Sequence, residues 1–346
     1  MDILDHIKNV ENPPLLVAEL SGNHGGNLSK AYELLETAAE VGADAIKIQT
    51  YKPDTITVDG RCDRFLIKDG LWSGRYLHDL YDKAMTPWEW HYPLAKRAKE
   101  LGLNLFSSPF DETAVDFLES KIDPLVYKIA SFELNHFPLL KRIGQTKKPV
   151  LASVGVSNFD EIQKSLDALH TSGCPSVTLL HCVSEYPAKV EDFNLSAINN
   201  LRDHFGTLVG LSDHSFGFSV PVAATVLGAR VIEKHFTLDR SEDSIDGGFS
   251  LLPEEFKKMC DEVRSIHLAM GYDKDESEVS IPKGSIYKRS ILVSSPIHSG
   301  DILTERNIRV ARPGDGLCPS LWDDVLGKKA TIDMSVGHPI AKEDYC

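Results

Sequence analysis

The chain lacks the features that would place it in a membrane, on nucleic acid or outside the cell. None of its apolar runs approaches the roughly 20 residues that a membrane-spanning helix needs. Residues Met1–His6 contain neither the basic nor the apolar segment of a secretory signal peptide. Positive charge is scarce, since 37 Lys and Arg face 51 Asp and Glu and the formal net charge is −14. Such a field repels nucleic acid and acidic membranes, so an anionic substrate would need a local cluster of cations.

Cysteine is sparse and irregularly spaced. The six cysteines form no CxxC pair, and no glycine-rich phosphate loop follows the first apolar run. Scattered cysteines of this kind are typical of free thiols in a reducing compartment. We therefore expect a cytoplasmic protein without a disulfide framework.

Over its first three quarters, the chain repeats a short apolar run followed by an amphipathic helical stretch. Eight such runs predict strands at Leu15–Leu20, Ala45–Thr50, Asn104–Pro109, Val126–Ser131, Val150–Gly155, Val177–Cys182, Leu208–Asp213 and Val231–Phe236. Eight alternations over about 270 residues predict a (β/α)8 TIM barrel spanning residues 1–270. A doubly wound open sheet is the alternative, but it usually has fewer strands.

The last quarter has a different character. Residues 271–282 are charged, polar and without apolar periodicity, so they are predicted to form a linker. In residues 283–346, short β-like runs at Ser290–Ser294 and Ile308–Ala311 alternate with glycine and proline turns. We expect a small β-rich domain of about 60 residues, too small to be very stable alone and suited to pack on a barrel.

Polar residues gather where the predicted strands end. The carboxyl ends of the strands carry the active site of a TIM barrel, whereas strands buried on both faces are otherwise apolar. Lys47 and Lys128 lie inside two apolar runs, where a lysine contacts an anion or an acid unless it extends to solvent. Hydroxyls at four strand ends would complete a cradle for phosphate or carboxylate. They belong to Ser108, Ser131, Ser153 and Ser212.

Two histidines end the neighbouring seventh and eighth predicted strands. His214 and His235 would therefore meet at one metal ion. Two imidazoles with carboxylate or water oxygens suit Mn²⁺, Mg²⁺, Co²⁺ or Fe²⁺. The alternative is that each is a core or capping histidine with its hydrogen bonds satisfied. Asp213 and Glu233 are candidates to orient the two imidazoles.

Two loops after predicted strands are also candidates for the site. Asn23 and His24 lie in the glycine-rich loop Ser21–Gly26, where they serve either a ligand or the turn itself. The long loop Asp54–Tyr81 carries basic and aromatic residues. Its length indicates a lid or a substrate wall, with a simple insertion as the alternative.

Six sequence strings occur in a specific order along the chain. They are AELSGNH (Ala18–His24), GADAIKIQTYKPD (Gly42–Asp54), SSPF (Ser107–Phe110), YKIASFE (Tyr127–Glu133), GLSDHSFG (Gly210–Gly217) and GARVIEKHF (Gly228–Phe236). This set resembles the sialic acid (nonulosonic acid) synthase family, and most closely its pseudaminic acid branch. The tail resembles the antifreeze-like (SAF) domain of these enzymes. The resemblance covers nearly the whole chain and implies a TIM barrel followed by a small β-rich SAF domain.

The resemblance also implies a reaction and the residues that serve it. Phosphoenolpyruvate would condense with an amino-sugar aldehyde and release phosphate, with a divalent ion (Mn²⁺, Mg²⁺ or Co²⁺) on His214 and His235. The residues implied to hold phosphoenolpyruvate are Lys47, Ser108, Lys128, Ser131, Ser153 and Ser212. The residues implied to face the sugar and the reacting centre are Glu19, Tyr186 and Asp246, and we add Asn23 and Ser184 as substrate contacts. Glu19 and Asp246 are the candidate catalytic carboxylates, with the assignment between them open.

The implied sugar depends on a few positions. Synthases for N-acetylneuraminate typically carry Asn where this chain has Ser184. KIAS-aromatic-Glu and the Ile67–Trp72 loop favour the pseudaminic branch, whose sugar is 2,4-diacetamido-2,4,6-trideoxy-L-altrose. The alternatives are an N-acetylneuraminate or legionaminate synthase that uses N-acetylmannosamine or a related sugar and, more remotely, a non-catalytic sugar-binding protein. The resemblance further implies that Arg312 reaches the active site of a second subunit, so a domain-swapped homodimer is expected.

Overall fold

The computed structural model describes residues 3–241, 244–271 and 284–346. The chain divides into two compact units, Met1–Tyr272 and Asp273–Cys346. The predicted linker lies outside the described residues except for Gly271, which ends the last helix of the first unit in the left-handed conformation.

Eight parallel strands, all within the described residues, pair in chain order and close into a barrel. They are β1 (Leu15–Glu19), β2 (Ala45–Thr50), β3 (Asn104–Pro109), β4 (Tyr127–Ile129), β5 (Val150–Ser153), β6 (Val177–Cys182), β7 (Val209–Asp213) and β8 (Val231–His235). The ring closes between β1 and β8, where Glu19 lies opposite His235. The predicted TIM barrel is therefore confirmed.

The fourth strand is shorter than the apolar run Val126–Ser131 predicts. Its ladder ends at Ile129, and Ser131–Glu133 form a single 3-10 turn. The turn bends the chain at the edge of the barrel, because the backbone leaves the extended conformation directly after Ala130. Polar side chains of the YKIASFE string are thereby carried into the space above the strands.

Helices surround the barrel and connect its strands. They are α1 (Ile3–Lys8), α2 (Leu28–Glu40), α3 (Pro53–Ile56), α4 (Leu77–Ala84), α5 (Trp88–Glu100), α6 (Glu112–Lys121), α7 (Phe137–Gln145), α8 (Phe159–Thr171), α9 (Ala197–Phe205), α10 (Ser219–Val226) and α11 (Pro253–Met270). Local sequence explains where several of them begin. Before α8, the Asn158 side chain accepts from the Glu161 amide, and the Glu161 carboxylate accepts from the Asn158 amide. This reciprocal cap satisfies amides that the first helical turn leaves free.

Successive side chains of each strand point alternately into the barrel and out toward the helices. This alternation separates two hydrophobic cores and determines where the site lies. On β1, Leu15 and Val17 point into a central cluster, which α1 closes at the amino-terminal end with Ile3 and Ile7. Leu16 and Ala18 instead pack outward with the surrounding helices. The next inward position on β1 after Val17 is Glu19. The interior therefore changes from apolar to charged at the carboxyl ends of the strands.

The second unit is a small β-rich fold with its own core. Its strands β9 (Ser290–Val293) and β10 (Ile308–Ala311) pair antiparallel, and α12 (Trp322–Val325) follows them. Ile291, Leu303 and Ile340 are among its fully buried residues. All six cysteines of the chain carry free thiols. Among the described residues, no helix has the length and apolar character needed to cross a membrane.

Candidate active site

A cavity of about 570 Å³ opens at the carboxyl ends of the barrel strands. Its volume is typical of a site for small molecules. Most of the residues predicted for the site line it. They are Lys47, Lys128, Ser131, Ser153, Tyr186, Ser212, His214, His235 and Asp246.

Buried charges converge on Glu233 at the base of the cavity. Lys47 Nζ donates to Glu233 Oε1 over 2.7 Å and lies 2.9 Å from Glu19 Oε2. Lys128 Nζ is 3.5 Å from the same Glu233 oxygen, which also accepts from Ser212 Oγ over 3.0 Å. Each of these side chains is almost wholly removed from solvent. Charges in that position are costly unless paired, so the network must form as a unit.

Burial and pairing shift the pKa values of two members of this network, Glu233 and Lys47. Burial raises the pKa of Glu233, but the ammonium groups of Lys128 and Lys47 outweigh burial and hold that pKa below its ordinary value. Burial lowers the pKa of Lys47, and the Glu233 carboxylate opposes that effect. With Glu19 included, two ammonium groups face two carboxylates. The base of the cavity is thus an ordered set of paired charges, and both lysines line the cavity.

Serine hydroxyls extend this polar base. Lys128 Nζ donates to Ser153 Oγ over 2.9 Å, and Ser131 Oγ lies 2.7 Å from Ser184 Oγ. Ser108 Oγ is buried and has no hydrogen-bond partner within the described chain. An unpaired buried hydroxyl is costly, but Ser108 does not line the cavity, so its predicted contact with phosphoenolpyruvate stays a prediction.

His214 and His235 lie side by side, with ring centroids 5.4 Å apart. His214 Nδ1–H donates to the Val183 carbonyl over 2.9 Å, so the lone pair of the neutral ring is on Nε2. His235 Nδ1 is buried without a hydrogen-bond partner among the described residues and lies 4.0 Å from Asp246 Oδ2. Burial lowers the pKa of both imidazoles, that of His214 to about 4, so both rings are neutral near pH 7.

Two neutral imidazoles with available nitrogens fit a divalent metal ion. The described residues contain no group of three or more His, Cys, Asp or Glu placed to hold a metal by themselves. Further ligands would therefore come from water or from a substrate oxygen, as in catalytic sites that keep positions open.

The prediction that Asp213 and Glu233 orient these imidazoles is wrong. Asp213 instead accepts from the Ser215 amide over 2.8 Å and pairs with Lys234 Nζ at 2.5 Å. Lys234 occupies the outward face of β8, between Glu233 and His235 on the inward face, and Asp213 neutralises it there. Glu233 is engaged by the lysines. The Val183 carbonyl is the group that orients His214.

Glu19 and Asn23 support the site from below, and neither lines the cavity. Glu19 accepts from the Ser21 amide over 2.9 Å in addition to its contact with Lys47. Asn23 Nδ2 donates to the Phe236 carbonyl over 2.9 Å, and its Oδ1 accepts from the Asp246 amide over 3.0 Å. Asn23 therefore holds the loop that carries Asp246, whereas the sequence predicted a substrate contact.

Glu133 also lines the cavity, although the sequence predicted no role for it. Burial raises the pKa of its carboxyl to about 7, and the ammonium of Lys128 opposes that effect. Its Oε2 is buried and without a hydrogen-bond partner in the described chain. Its position at the end of the YKIASFE string, just after a strand, was the available signal. Glu133 would be able to exchange a proton near neutral pH.

Aromatic side chains form one side of the cavity. The Trp72 ring centroid lies 5.6 Å from that of Tyr186, which lies 4.4 Å from that of His214. Trp72 Nε1 donates to the Ile245 carbonyl over 3.0 Å. Through Trp72, the long Asp54–Tyr81 segment forms part of the cavity, so it is a wall rather than a remote insertion.

Arg312 belongs to the second unit. It directly follows β10, and its side chain is exposed.

Residues 34–275 match the model of the NeuB family, and residues 288–345 match that of the SAF domain. The chain belongs to the NeuB family. It is 42% identical to a pseudaminic acid synthase from Campylobacter jejuni over 97% of this chain and 98% of that protein. It is 36% identical to an N,N'-diacetyllegionaminic acid synthase of the same species, over 92% of this chain and 96% of that protein.

A solved structure of an N-acetylneuraminic acid synthetase from Leptospira borgpetersenii, in complex with citrate, has the same fold. It superimposes with a TM-score of 0.70 at 31% identity and covers 78% of this chain and 90% of that chain. The family match and the SAF match confirm the predicted family and the predicted order of a barrel followed by a SAF domain.

Proposed function

We propose that this NeuB-family chain is a pseudaminic acid synthase. It would condense phosphoenolpyruvate with open-chain 2,4-diacetamido-2,4,6-trideoxy-L-altrose, consume water and release phosphate. The observation that carries the proposal is one cavity in which a lysine–serine base adjoins two neutral, neighbouring imidazoles. The 42% identity to a pseudaminic acid synthase, against 36% to a legionaminic acid synthase, supports the choice of sugar.

Charge balance supports a metal ion in this reaction. The two lysines at the base of the cavity are matched by Glu19 and Glu233. A highly charged anion such as phosphoenolpyruvate would therefore need additional positive charge to bind. A divalent ion on His214 and His235, for which Mn²⁺, Mg²⁺ and Co²⁺ are candidates, would supply it. When bound, such an ion acts as a Lewis acid on the aldehyde oxygen.

The remaining chemistry rests on the residues of the chain. Carbon 3 of phosphoenolpyruvate attacks the aldehyde carbon, and carbon 2 becomes electron-poor and takes up water. Phosphate then leaves with cleavage of its C–O bond. Lys47 and Lys128 would orient the phosphate and the carboxylate of phosphoenolpyruvate with charge-assisted hydrogen bonds.

A carboxyl group must act as a general acid or base for the protons of water and of the new hydroxyl. Of the two candidates from the sequence, Asp246 is favoured because it lines the cavity. Burial raises its pKa to about 6, which suits proton exchange near neutral pH. Glu19 is held by Lys47 and Ser21 and does not reach the cavity. We assign Glu19 the role of positioning Lys47.

We further propose a cytoplasmic homodimer in which the tail of one subunit completes the site of the other. The resemblance to sialic acid synthases suggests Arg312 as the contributing residue, and its exposed side chain is available for that contact. Its guanidinium would add positive charge for a substrate carboxylate or phosphate.

The function is tested by measuring phosphate release from phosphoenolpyruvate with candidate sugars, with and without EDTA. We expect release that depends on the sugar and on the metal, and a preference for the diacetamido-trideoxy sugar over N-acetylmannosamine. Preference for N-acetylmannosamine would reassign the branch. No sugar-dependent release across a broad panel would refute the synthase.

A further inference from the structure

The cavity has two chemically different sides. One is the polar base with its lysines, serines and imidazoles. The other is formed largely by the segment between β2 and α5, residues 51–84. Its lining members are Tyr51, Ile56, Ile67, Trp72, Leu77, Leu80, Tyr81 and Ala84. We call these eight residues the apolar wall.

The apolar wall contrasts with the composition of its own segment. Twelve of the residues between 51 and 84 are Asp, Lys or Arg. Within the described chain, none of these twelve lines the cavity. Chance orientation of so charged a segment would bring at least some of these charges to the cavity. The segment therefore turns its carbon surface inward and its charges to solvent.

Specific contacts hold the apolar wall in place. Leu66 and Tyr76 pair as an antiparallel bridge, and the Ile67 amide donates to the Arg75 carbonyl over 2.9 Å. The hairpin so formed is attached to the loop after β8 through the bond from Trp72 to the Ile245 carbonyl. The wall is thus a built surface that faces the site.

We propose that the apolar wall determines sugar specificity by contacting the methyl-bearing carbons of a 6-deoxy, acetamido-substituted sugar. The inference rests on the proposed synthase activity and identifies the part of the cavity that recognises the sugar. In the proposed reaction, phosphoenolpyruvate would occupy the lysine base and the aldehyde would lie at the imidazoles, so the sugar carbons far from the aldehyde would face the wall. Methyl groups bury favourably there, whereas a hydroxyl would lose its hydrogen bonds to water.

The experiment compares two sugars that differ only at carbon 6: the 2,4-diacetamido-2,4,6-trideoxy sugar and its 6-hydroxyl counterpart. The readout is the ratio of their kcat/KM values, measured by phosphate release. We expect the wild-type enzyme to prefer the 6-deoxy sugar by about 10- to 100-fold, the range that an apolar pocket achieves against an added hydroxyl. Ile67→Thr and Leu77→Asn, which place polar atoms in the wall, should each lower this ratio severalfold. The KM for phosphoenolpyruvate should stay unchanged.

Val58→Thr is the matched control, because Val58 lies on the same segment, is exposed and does not line the cavity. It should keep the wild-type ratio. If the wild-type enzyme is active but Ile67→Thr and Leu77→Asn both keep the wild-type ratio, the wall does not determine specificity. If the wild-type enzyme releases phosphate with neither sugar nor with N-acetylmannosamine, the proposed synthase itself fails.

Discussion

Lys47 and Glu233 form a buried ion pair, with Lys47 Nζ 2.7 Å from Glu233 Oε1. The two residues come from β2 and β8, which flank β1 in the barrel, and Glu19 of β1 lies 2.9 Å from the same ammonium. Three adjacent strands are thus joined by charge at the point where the interior stops being apolar. The side chains that link these strands are also those of the proposed anion site.

Lys47→Met should weaken the binding of phosphoenolpyruvate far more than that of the sugar. Losing a charged hydrogen bond costs about 1.5–3 kcal/mol, which corresponds to a rise of about 10- to 100-fold in the KM for phosphoenolpyruvate. The measurement is steady-state kinetics with each substrate varied in turn. Lys83→Met, at an exposed lysine of α4, should leave both KM values unchanged. Equal rises in the two KM values for Lys47→Met would instead indicate a general disturbance of the site.

Protonation of Glu133 should lower the reaction rate as the pH falls through neutrality. This fall is the acid limb of the pH profile. Its pKa of about 7 lies above the ordinary value of 4.5, because burial disfavours the carboxylate. The group is therefore protonated below about pH 7 and ionised above it, and a role as base is lost as the pH falls through 7. Glu133→Gln should reduce kcat/KM for the sugar by about 100-fold or more and shift this limb from about pH 7 to about pH 6, where Asp246 titrates.

The matched control for Glu133→Gln is Glu185→Gln, since Glu185 is exposed and does not line the cavity. It should retain the wild-type pH profile. An acid limb that persists unchanged in Glu133→Gln would exclude Glu133 as the titrating group.

His214→Gln and His235→Gln should each weaken Mn²⁺ binding by about tenfold or more, because each would remove one of the two proposed nitrogen ligands. Binding is measured directly on the metal-free protein by calorimetry, so the result does not depend on turnover. His204→Gln, at an exposed histidine of α9, serves as the control. Wild-type Mn²⁺ affinity in both site variants would exclude a metal site at these two residues.

Much of the fold could be predicted from the sequence because barrel strands are buried on both faces. The bounds of β2, β3 and β6 coincide with the apolar runs that predicted them. β4 did not follow its run, because Ser131–Glu133 turn at the barrel edge. A hydrophobic run marks burial, and it does not tell where an extended backbone starts to bend.

The site could be predicted only in part. Alternation along a strand tells which side chains point into the barrel, but not which groups those side chains contact. Inward positions such as Lys47 and His235 follow from strand ends and a period of two. The ionic partner of each charged side chain does not follow from them. Asp213, for example, was predicted to orient an imidazole, but it pairs with Lys234 on the other face of the sheet. Nor could the sequence show which side chains of the 51–84 segment face the cavity. Hairpin pairing and the contact of Trp72 with Ile245 determine their orientation.

The proposed role of Arg312 predicts complementation between two impaired variants. Arg312→Ala should lower activity while the proposed dimer remains, because the side chain is exposed and would serve the partner's site rather than the fold. His235→Ala should be inactive through its own barrel. In a heterodimer of the two, the barrel of the Arg312→Ala subunit is intact and receives Arg312 from the His235→Ala subunit, so one site of two is restored.

Co-expression with two affinity tags isolates this heterodimer, and phosphate release measures its activity. We expect up to about half of the wild-type activity per dimer, since one complete site remains and sites act independently. Arg306→Ala is the control, at an exposed arginine of the same unit, and should remain active by itself. An isolated heterodimer as inactive as its parents would mean that Arg312 does not act across subunits.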